Sequence, residues 1–260
     1  QACSRAVAAR DVGLVVFFLF FILVVVVILV VVIVIVEVDV VIFLFLVVLG
    51  PCTLLVGLEV NADLTQLGLE ELEERFRAVL DSGRFIFGPE VEAFEREAAA
   101  YLGVPHAIGV ANGTDALILA LEAIGIGRGD EVICPAFTFY ATAEAIARVG
   151  ATPVFADIDP ATLNLDPEDV AARITPRTKA IVAVDIFGYP CELDPLLALC
   201  ERHGLKLVQD ACEALGARYK GRLLGSHGHP TTFAFYPNKQ MTTGEGGALT
   251  TNDEHEYELL

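Results

Sequence analysis

The sequence predicts an α/β fold in which helices cover both faces of a mostly parallel central sheet. Two observations and one general rule lead to this prediction. From residue 69 onward, short apolar runs of strand length alternate with segments whose apolar residues recur every three or four positions. The first two helical segments end at Gly83 and Gly103, and glycine is a common helix stop. Chains that alternate in this way form parallel strands joined by helices.

Two helices open this region. Residues 69–83, LEELEERFRAVLDSG, carry apolar side chains at helical spacing. Residues 89–103, PEVEAFEREAAAYLG, repeat the pattern with Pro89 near the start, where proline suits a helix. Strands and helices then alternate. The predicted strands are 106–112, 130–136, 152–158, 179–186 and 206–211, and the predicted helices are 114–125, 141–150, 167–174 and 193–204.

An abnormal segment precedes the α/β region. Residues 14–36 are 23 consecutive apolar residues, a length and hydropathy typical of a transmembrane helix. The run is dominated by Val, Ile and Phe, which is closer to low complexity, and its flanking charges would send the rest of the chain outside the cell. Two interpretations stay open: an unrelated low-complexity stretch, or a genuine membrane anchor. We therefore divide the chain into residues 1–68, this segment with a linker, and residues 69–260, a large domain.

Composition narrows the functional class. The 260 residues carry a formal net charge of −18, which argues against a nucleic-acid-binding surface. None of the six cysteines forms a CxxC pair or a zinc-site spacing, so we expect reduced thiols in a cytoplasmic protein and no metal site.

The first candidate site residues follow two predicted strands, where α/β sheets bind their ligands. Asn112–Asp115 joins a strand to a helix, and the free N–H groups of a helix start attract a phosphate. Gly113 would let the backbone approach that phosphate, and Thr114 would add a hydroxyl. Simple helix capping by Thr114 or Asp115 is the alternative. Phe139, after the next strand, could stack on a flat ring or pack in the core.

Two further candidates lie near the end of the chain. Asp210 ends an apolar strand, where a buried carboxylate needs a cationic partner such as a protonated ring nitrogen or an arginine. Glu213 lies three residues further on. Lys239 follows an aromatic run and precedes a glycine-rich loop, so it is either a desolvated nucleophilic amine or an exposed surface lysine.

Together these residues match the parts of pyridoxal 5′-phosphate. The set contains a phosphate seat, a ring stacker, a carboxylate for a ring nitrogen and an amine for an aldehyde. The coincidence of all four is much less probable than any one of them, so the sequence predicts a pyridoxal-phosphate site.

Residues 69–260 also resemble the DegT/DnrJ/EryC1/StrS family of sugar aminotransferases, which are fold-type I pyridoxal-phosphate enzymes. The resemblance is nearly continuous. It is carried by segments that include ANGTDALILALEAIGIGRGDEVICPAFTFYATAEAI (111–146), QDACEALGARYKGRLLGS (209–226) and FAFYPNKQMTTGEGGALTTND (233–253). It implies that Lys239 bonds to the cofactor aldehyde, Asp210 pairs with the ring nitrogen, Glu213 lies near the ring hydroxyl, Phe139 stacks on the ring, and Gly113 and Thr114 hold the phosphate.

Three departures from the family pattern stand out. Ala234 occupies the position of a family serine that touches the phosphate, and Gln209–Asp210 replaces an acidic pair. The family also continues past the TND motif into a small C-terminal domain, so we expect this chain, which ends at Leu260, to be truncated.

The resemblance implies transamination of a keto group on a nucleotide-linked sugar, with an amino acid such as glutamate as donor, in amino-sugar, polysaccharide or secondary-metabolite biosynthesis. It also implies a homodimer whose active site uses loops of both subunits, with Gly244–Gly247 as a candidate loop and a simple tight turn as its alternative. Two other functions stay open: a truncated, non-catalytic cofactor-binding fragment, and another fold-type I enzyme such as an amino-acid lyase. The sugar, its ring position and the nucleotide are not specified by these residues.

Overall fold

A computed structural model describes residues 62–260, with side chains described from residue 71 onward. The chain divides into two compact units, Gln1–Gly83 and Arg84–Leu260. The membrane-anchor and low-complexity interpretations of residues 14–36 lie outside the described residues, and the domain boundary at residue 69 stays a prediction. No helix within residues 62–260 is long and apolar enough to cross a membrane.

In the first unit, helix α1 spans Ala62–Ser82 and begins earlier than the predicted Leu69. The sequence accounts for the difference, because Leu64 and Leu67 continue the helical spacing. The intervening Gly68 costs a helix only about 1 kcal/mol.

The second unit contains every helix and strand that the sequence predicts between residues 89 and 211. Its helices are α2 (Pro89–Leu102), α3 (Gly113–Ala123), α4 (Tyr140–Arg148), α5 (Pro167–Arg173), α6 (Leu193–His203) and α7 (Glu254–Leu259). Its strands are β1 (His106–Val110), β2 (Glu131–Pro135), β3 (Thr152–Ala156), β4 (Thr178–Val184), β5 (Lys206–Asp210), β6 (Arg218–Tyr219), β7 (Arg222–Leu223), β8 (Thr231–Ala234) and β9 (Gly247–Thr251).

Seven strands form the central sheet, in the order β1-β9-β8-β5-β4-β2-β3. The pairs β3–β2, β2–β4, β4–β5 and β5–β8 are parallel, whereas β9 runs antiparallel to both β1 and β8. The prediction of a mostly parallel sheet is therefore confirmed, with β9 as the reversed strand.

Hydrophobic cores lie on both faces of this sheet. Along β4, Val182 belongs to one buried cluster, while its neighbours Ile181 and Ala183 belong to the other, because successive strand side chains point to opposite faces. Helices α3 and α4 contribute to the first cluster, and α2, α5 and α6 contribute to the second. A strand buried on both faces reads as a continuous apolar run, which is why β4 was recognisable in the sequence.

The carboxyl ends of β1, β4, β5 and β8 share one edge of the sheet because these strands run in the same direction. The reversed strand β9 begins at this edge, where Gly247 pairs with both Val110 and Ala234. A Cβ atom on Gly247 would lie 2.5 Å from the backbone carbonyl of Asn112. Only glycine therefore lets β9 pass between its neighbours at this point, and the segments that follow β1 and β8 are held close together.

Candidate active site

A cavity of about 720 Å³ opens at the carboxyl edge of the sheet. Its volume lies within the range of small-molecule sites, roughly 300–1,000 Å³. The six predicted site residues all line it: Gly113, Thr114, Phe139, Asp210, Glu213 and Lys239. The structure thus brings together residues that are up to 126 positions apart in sequence.

Lys239 forms an ion pair inside the cavity. Its Nζ atom lies 3.0 Å from Oε1 of Glu213, and its side chain is 14% exposed. The second oxygen of Glu213, Oε2, accepts the backbone N–H of Phe187 at 3.2 Å. A largely buried lysine excludes the alternative of an exposed surface residue, and Glu213 is anchored on both oxygens.

Asp210 is buried at the end of β5. Its Oδ2 atom accepts a hydrogen bond from the Thr142 hydroxyl at 2.9 Å, and Oδ1 accepts the backbone N–H of Cys212 at 3.2 Å. Burial raises the pKa of Asp210, and the hydrogen bonds from Cys212 and Thr142 and the charge of Lys239 oppose that rise. In the described part of the chain, the side chains that bond to this carboxyl belong to Thr142 and Cys212, and the arginine partner left open by the sequence is not among them.

The start of helix α3, the candidate phosphate-binding position, is packed closely against its neighbours. Asn112 is the capping residue, because its side-chain oxygen accepts the N–H of Asp115 at 2.8 Å. The cap is therefore not Thr114 or Asp115, the alternatives that the sequence allowed. A Cβ atom on Gly113 would lie 2.8 Å from both the Cβ of Ala234 and the Sγ of Cys212. Glycine at this position keeps the first turn of the helix close to β8 and β5.

Phe139 immediately precedes helix α4 and is 72% exposed at the cavity wall. This exposure rules out the core-packing alternative and leaves the ring available to a ligand. Glu245 and Gly246 of the glycine-rich loop also line the cavity.

Several cavity residues were missed by the sequence analysis. Thr138 lines the cavity, and its hydroxyl lies 2.9 Å from that of Thr142. The four-residue spacing of these threonines, one helical turn, was the available signal. Asp185 directly follows β4, and Asp210 is the last residue of the neighbouring strand β5, so this similar position could have identified Asp185.

Asp185 belongs to a buried polar network beneath the cavity. Its oxygens accept the N–H of Cys191 and the side-chain N–H of Gln209, each at 2.8 Å. The other end of the Gln209 amide lies 2.9 Å from Nε2 of His229. Burial raises the pKa of Asp185 to about 7 and lowers that of His229 to about 4. The neutral form of Asp185 is therefore favoured below about pH 7, and the neutral form of His229 is favoured above about pH 4.

These residues fit pyridoxal 5′-phosphate. Lys239 supplies an amine, and the buried Asp210 carboxylate gains a partner if a cationic ring nitrogen binds beside it. The glycine-lined helix start supplies N–H groups and a favourable dipole for a phosphate. Ala234 lies against Gly113 without a hydroxyl, so the missing serine contact noted in the sequence falls at this seat.

Comparison with known proteins gives the same assignment. The family model described as the DegT/DnrJ/EryC1/StrS aminotransferase family matches residues 67–260. The spore coat polysaccharide biosynthesis protein SpsC of Bacillus subtilis is 50% identical over 191 residues, covering 74% of this chain and 49% of SpsC. The dTDP-3-amino-3,4,6-trideoxy-alpha-D-glucose transaminase of Streptomyces venezuelae is 47% identical over 191 residues, covering 73% of this chain and 50% of that enzyme.

A solved structure extends the comparison to the cofactor. NtdA from Bacillus subtilis, crystallised with bound cofactor PMP, superposes with a TM-score of 0.70 at 34% identity, covering 74% of this chain and 43% of NtdA. The chain spans about half the length of the curated relatives it matches. The predicted fold-type I architecture is confirmed, and so is the predicted cofactor at the level of the family. The chain belongs to the DegT/DnrJ/EryC1/StrS aminotransferase family.

Proposed function

We propose that the protein uses pyridoxal 5′-phosphate to transfer an amino group from an amino acid, glutamate in our hypothesis, to the keto group of a nucleotide-linked sugar. The observation that supports this most directly is the Lys239–Glu213 pair beside the buried carboxyl of Asp210, in a single cavity at the carboxyl edge of the sheet. The names of the relatives support the substrate class, because one is a transaminase named for a dTDP-amino sugar and another serves polysaccharide biosynthesis.

Each residue would have a defined role. Pyridoxal 5′-phosphate, when bound, supplies an electron sink for a developing carbanion. Asp210 would hold a proton on the ring nitrogen by pairing with it, and Phe139 would pack on the ring face. Backbone N–H groups at Gly113 and Thr114 would bind the phosphate.

Proton transfer would centre on Nζ of Lys239. As a free amine it would accept the proton released from the α-carbon of the amino-acid donor and return a proton on the next step. Glu213 Oε1, at 3.0 Å, would stabilise the resulting ammonium, while the N–H of Phe187 holds the other carboxylate oxygen in place. The keto sugar would then receive the amino group in the reverse half-reaction.

The cavity and its surroundings fit a sugar substrate and a dimeric, cytoplasmic enzyme. Glu245 and Asp115 line the cavity, and their carboxylates could accept hydrogen bonds from sugar hydroxyls.

Phe187 and Tyr236 are exposed near the cavity, as expected of a surface that a second copy of the chain covers. Nucleotide sugars are cytosolic metabolites, and the four cysteines within the described residues are free thiols, as in a reducing compartment.

The assignment of Lys239 can be tested by chemical trapping. We expect that the protein loaded with pyridoxal 5′-phosphate and treated with borohydride carries the label on the peptide that contains Lys239. Lys239→Ala should lose both the label and the absorption band of the lysine-bound cofactor. Lys206→Arg is the matched control, because Lys206 is exposed at the opposite end of the strand that Asp210 ends. A label elsewhere, or an unchanged spectrum in Lys239→Ala, would refute the cofactor assignment.

The substrate class needs a separate assay. A keto sugar nucleotide with glutamate should yield an amino sugar, whereas an amino acid alone should show no net breakdown. Breakdown of the amino acid alone would favour the lyase alternative. Cofactor trapping without turnover on either substrate would favour the non-catalytic, cofactor-binding alternative.

A further inference from the structure

The carboxyl of Asp210 is contacted from two elements. From helix α4, the Thr142 hydroxyl lies 2.9 Å from Oδ2, and from the segment after β5, the Cys212 N–H lies 3.2 Å from Oδ1, with the Cys212 thiol as a further donor. Thr142 is buried and does not line the cavity. Any influence of Thr142 on a ligand must therefore pass through a residue that it contacts, such as Asp210.

The hydrogen bonds around Thr142 have a fixed direction when Asp210 is ionised. A carboxylate only accepts hydrogen bonds, so the single hydroxyl hydrogen of Thr142 must point to Asp210. Thr142 can then only accept from Thr138, whose hydroxyl lies 2.9 Å away. The order of donation is Thr138 to Thr142 to Asp210, and a chain of this kind polarises each of its members.

The same turn of helix also carries Phe139. Phe139 precedes α4, and its carbonyl accepts the N–H of Thr142 at 3.2 Å. The ring stacker and the donor to Asp210 therefore belong to one rigid helical turn. The position of the Asp210 carboxyl is linked through Thr142 to the wall of the cavity.

Charged and titratable groups surround Asp210 on several elements. Asp185, at the end of β4, and Cys191 interact with it electrostatically, and Asp185 also donates its backbone N–H to the Asp210 carbonyl at 2.9 Å. Cys212 lies on the following segment, and Lys239 contributes the opposing positive charge. Because burial disfavours the charge on Asp210, its hydrogen-bond donors are needed to offset that cost.

We propose that Thr142, polarised by Thr138, is a positioning residue that holds the Asp210 carboxyl in one orientation and in its ionised form. This inference rests on the proposed function, because only the ionised form can pair with a protonated ring nitrogen. Thr142 itself touches no substrate or cofactor. Its effect is expected on the ionisation of the ring nitrogen and on cofactor affinity.

The test uses the protein loaded with pyridoxal 5′-phosphate labelled with ¹⁵N in the ring. The ring-nitrogen chemical shift is followed against pH, and the cofactor dissociation constant is measured. Thr142→Val keeps the shape but removes the donor. We expect the ring nitrogen to lose its proton at a pH about one unit lower, and cofactor affinity to fall about tenfold. Thr142→Ser should restore both properties to near wild-type values, because it keeps the hydroxyl.

Two further variants complete the design. Thr138→Val should shift the titration in the same direction by less, because it removes only the polarising donor. Thr250→Val is the matched control: Thr250 is a buried threonine of β9, and its hydroxyl donates to the carbonyls of Gly225 and Thr231, each at 3.4 Å, and not to Asp210. In this variant the ring nitrogen should lose its proton at the same pH as in the wild type.

The outcomes separate this inference from the proposed function. Normal titration in Thr142→Val would overturn the positioning role while leaving the cofactor assignment intact. If Thr142→Val does not fold, normal titration in Thr138→Val would overturn it equally. Absence of Lys239-dependent cofactor binding in the wild type would overturn both proposals.

Discussion

Asp185 places an ionisable group where ionisation is costly. Its pKa is raised by burial from 3.8 to about 7, a difference that corresponds to roughly 4 kcal/mol between its two protonation states. Between these pH values the folded protein keeps a proton that the unfolded chain releases. The contribution of Asp185 to stability therefore falls as pH rises through this window, and its full cost is present above about pH 7.

We expect Asp185→Asn to remove this pH dependence. We compare the free energy of unfolding of the variant with that of the wild type at each pH. The difference should be roughly 2–3 kcal/mol more favourable to the variant at pH 8 than at pH 5. Denaturant unfolding at the two pH values measures the difference. Asp81→Asn, at an exposed position, is the control for the lost surface charge. If the free energies of unfolding of wild type and Asp185→Asn change with pH in the same way, the claim that burial raises the pKa of Asp185 is wrong.

Single residues were predictable where residue type and position carry the chemistry. Lys239 and Asp210 are charged groups next to apolar runs, which is unusual enough to be noticed in a sequence. Thr142 is an ordinary helical threonine, and its importance comes from a contact with a residue 68 positions away. Such roles depend on the register of the sheet and the placement of a helix, which no local pattern specifies.

At the scale of elements, the start of helix α3 depends on one side chain. Asn112→Ala removes the acceptor for the N–H of Asp115 and should cost about 1 kcal/mol of unfolding free energy. Asn112→Ser, which retains a capping oxygen, should recover most of that loss. Thermal or denaturant unfolding of the two variants gives the comparison, and equal stability of Asn112→Ala and wild type would show that the cap is dispensable.

Element type was predictable and strand direction was less so. Apolar runs of strand length alternate with segments whose apolar residues have helical spacing, and this alternation identified β1 to β5 and the helices between them. Strands β8 and β9 were not predicted, because their sequences, TTFA and GALTT, show neither a continuous apolar run nor a clear alternation, so the reversed direction of β9 was not predicted either. Strands β6 and β7 have two residues each and are too short to show any periodicity.

At the scale of the whole molecule, exposed aromatic side chains predict self-association. Phe187 is 69% exposed and contacts Phe137 edge-to-face at 6.2 Å. Phe187 also has a positive φ of 53°, a conformation that asparagine tolerates. Phe187→Asn should therefore remove the ring without backbone strain and weaken the dimer at least tenfold.

Analytical ultracentrifugation over a concentration series measures this dissociation constant. Phe155→Asn makes the same substitution at another exposed phenylalanine, on the edge strand β3, and should leave association unchanged. A wild-type chain that stays monomeric at all concentrations would exclude the dimer, and equal effects of both variants would exclude this surface as the interface.

The pairing of β1 with β9 joins residues 106–110 to residues 247–251 across most of the second unit. While the polypeptide is emerging from a ribosome, the helix start at Gly113 is made first, and strand β9, which pairs with both β1 and β8 beside it, follows only after residue 246. Vitamin B6 capture should thus begin only when synthesis has passed Thr251. Uptake of the coenzyme by ribosome-bound chains of increasing length would report the moment at which the sheet closes.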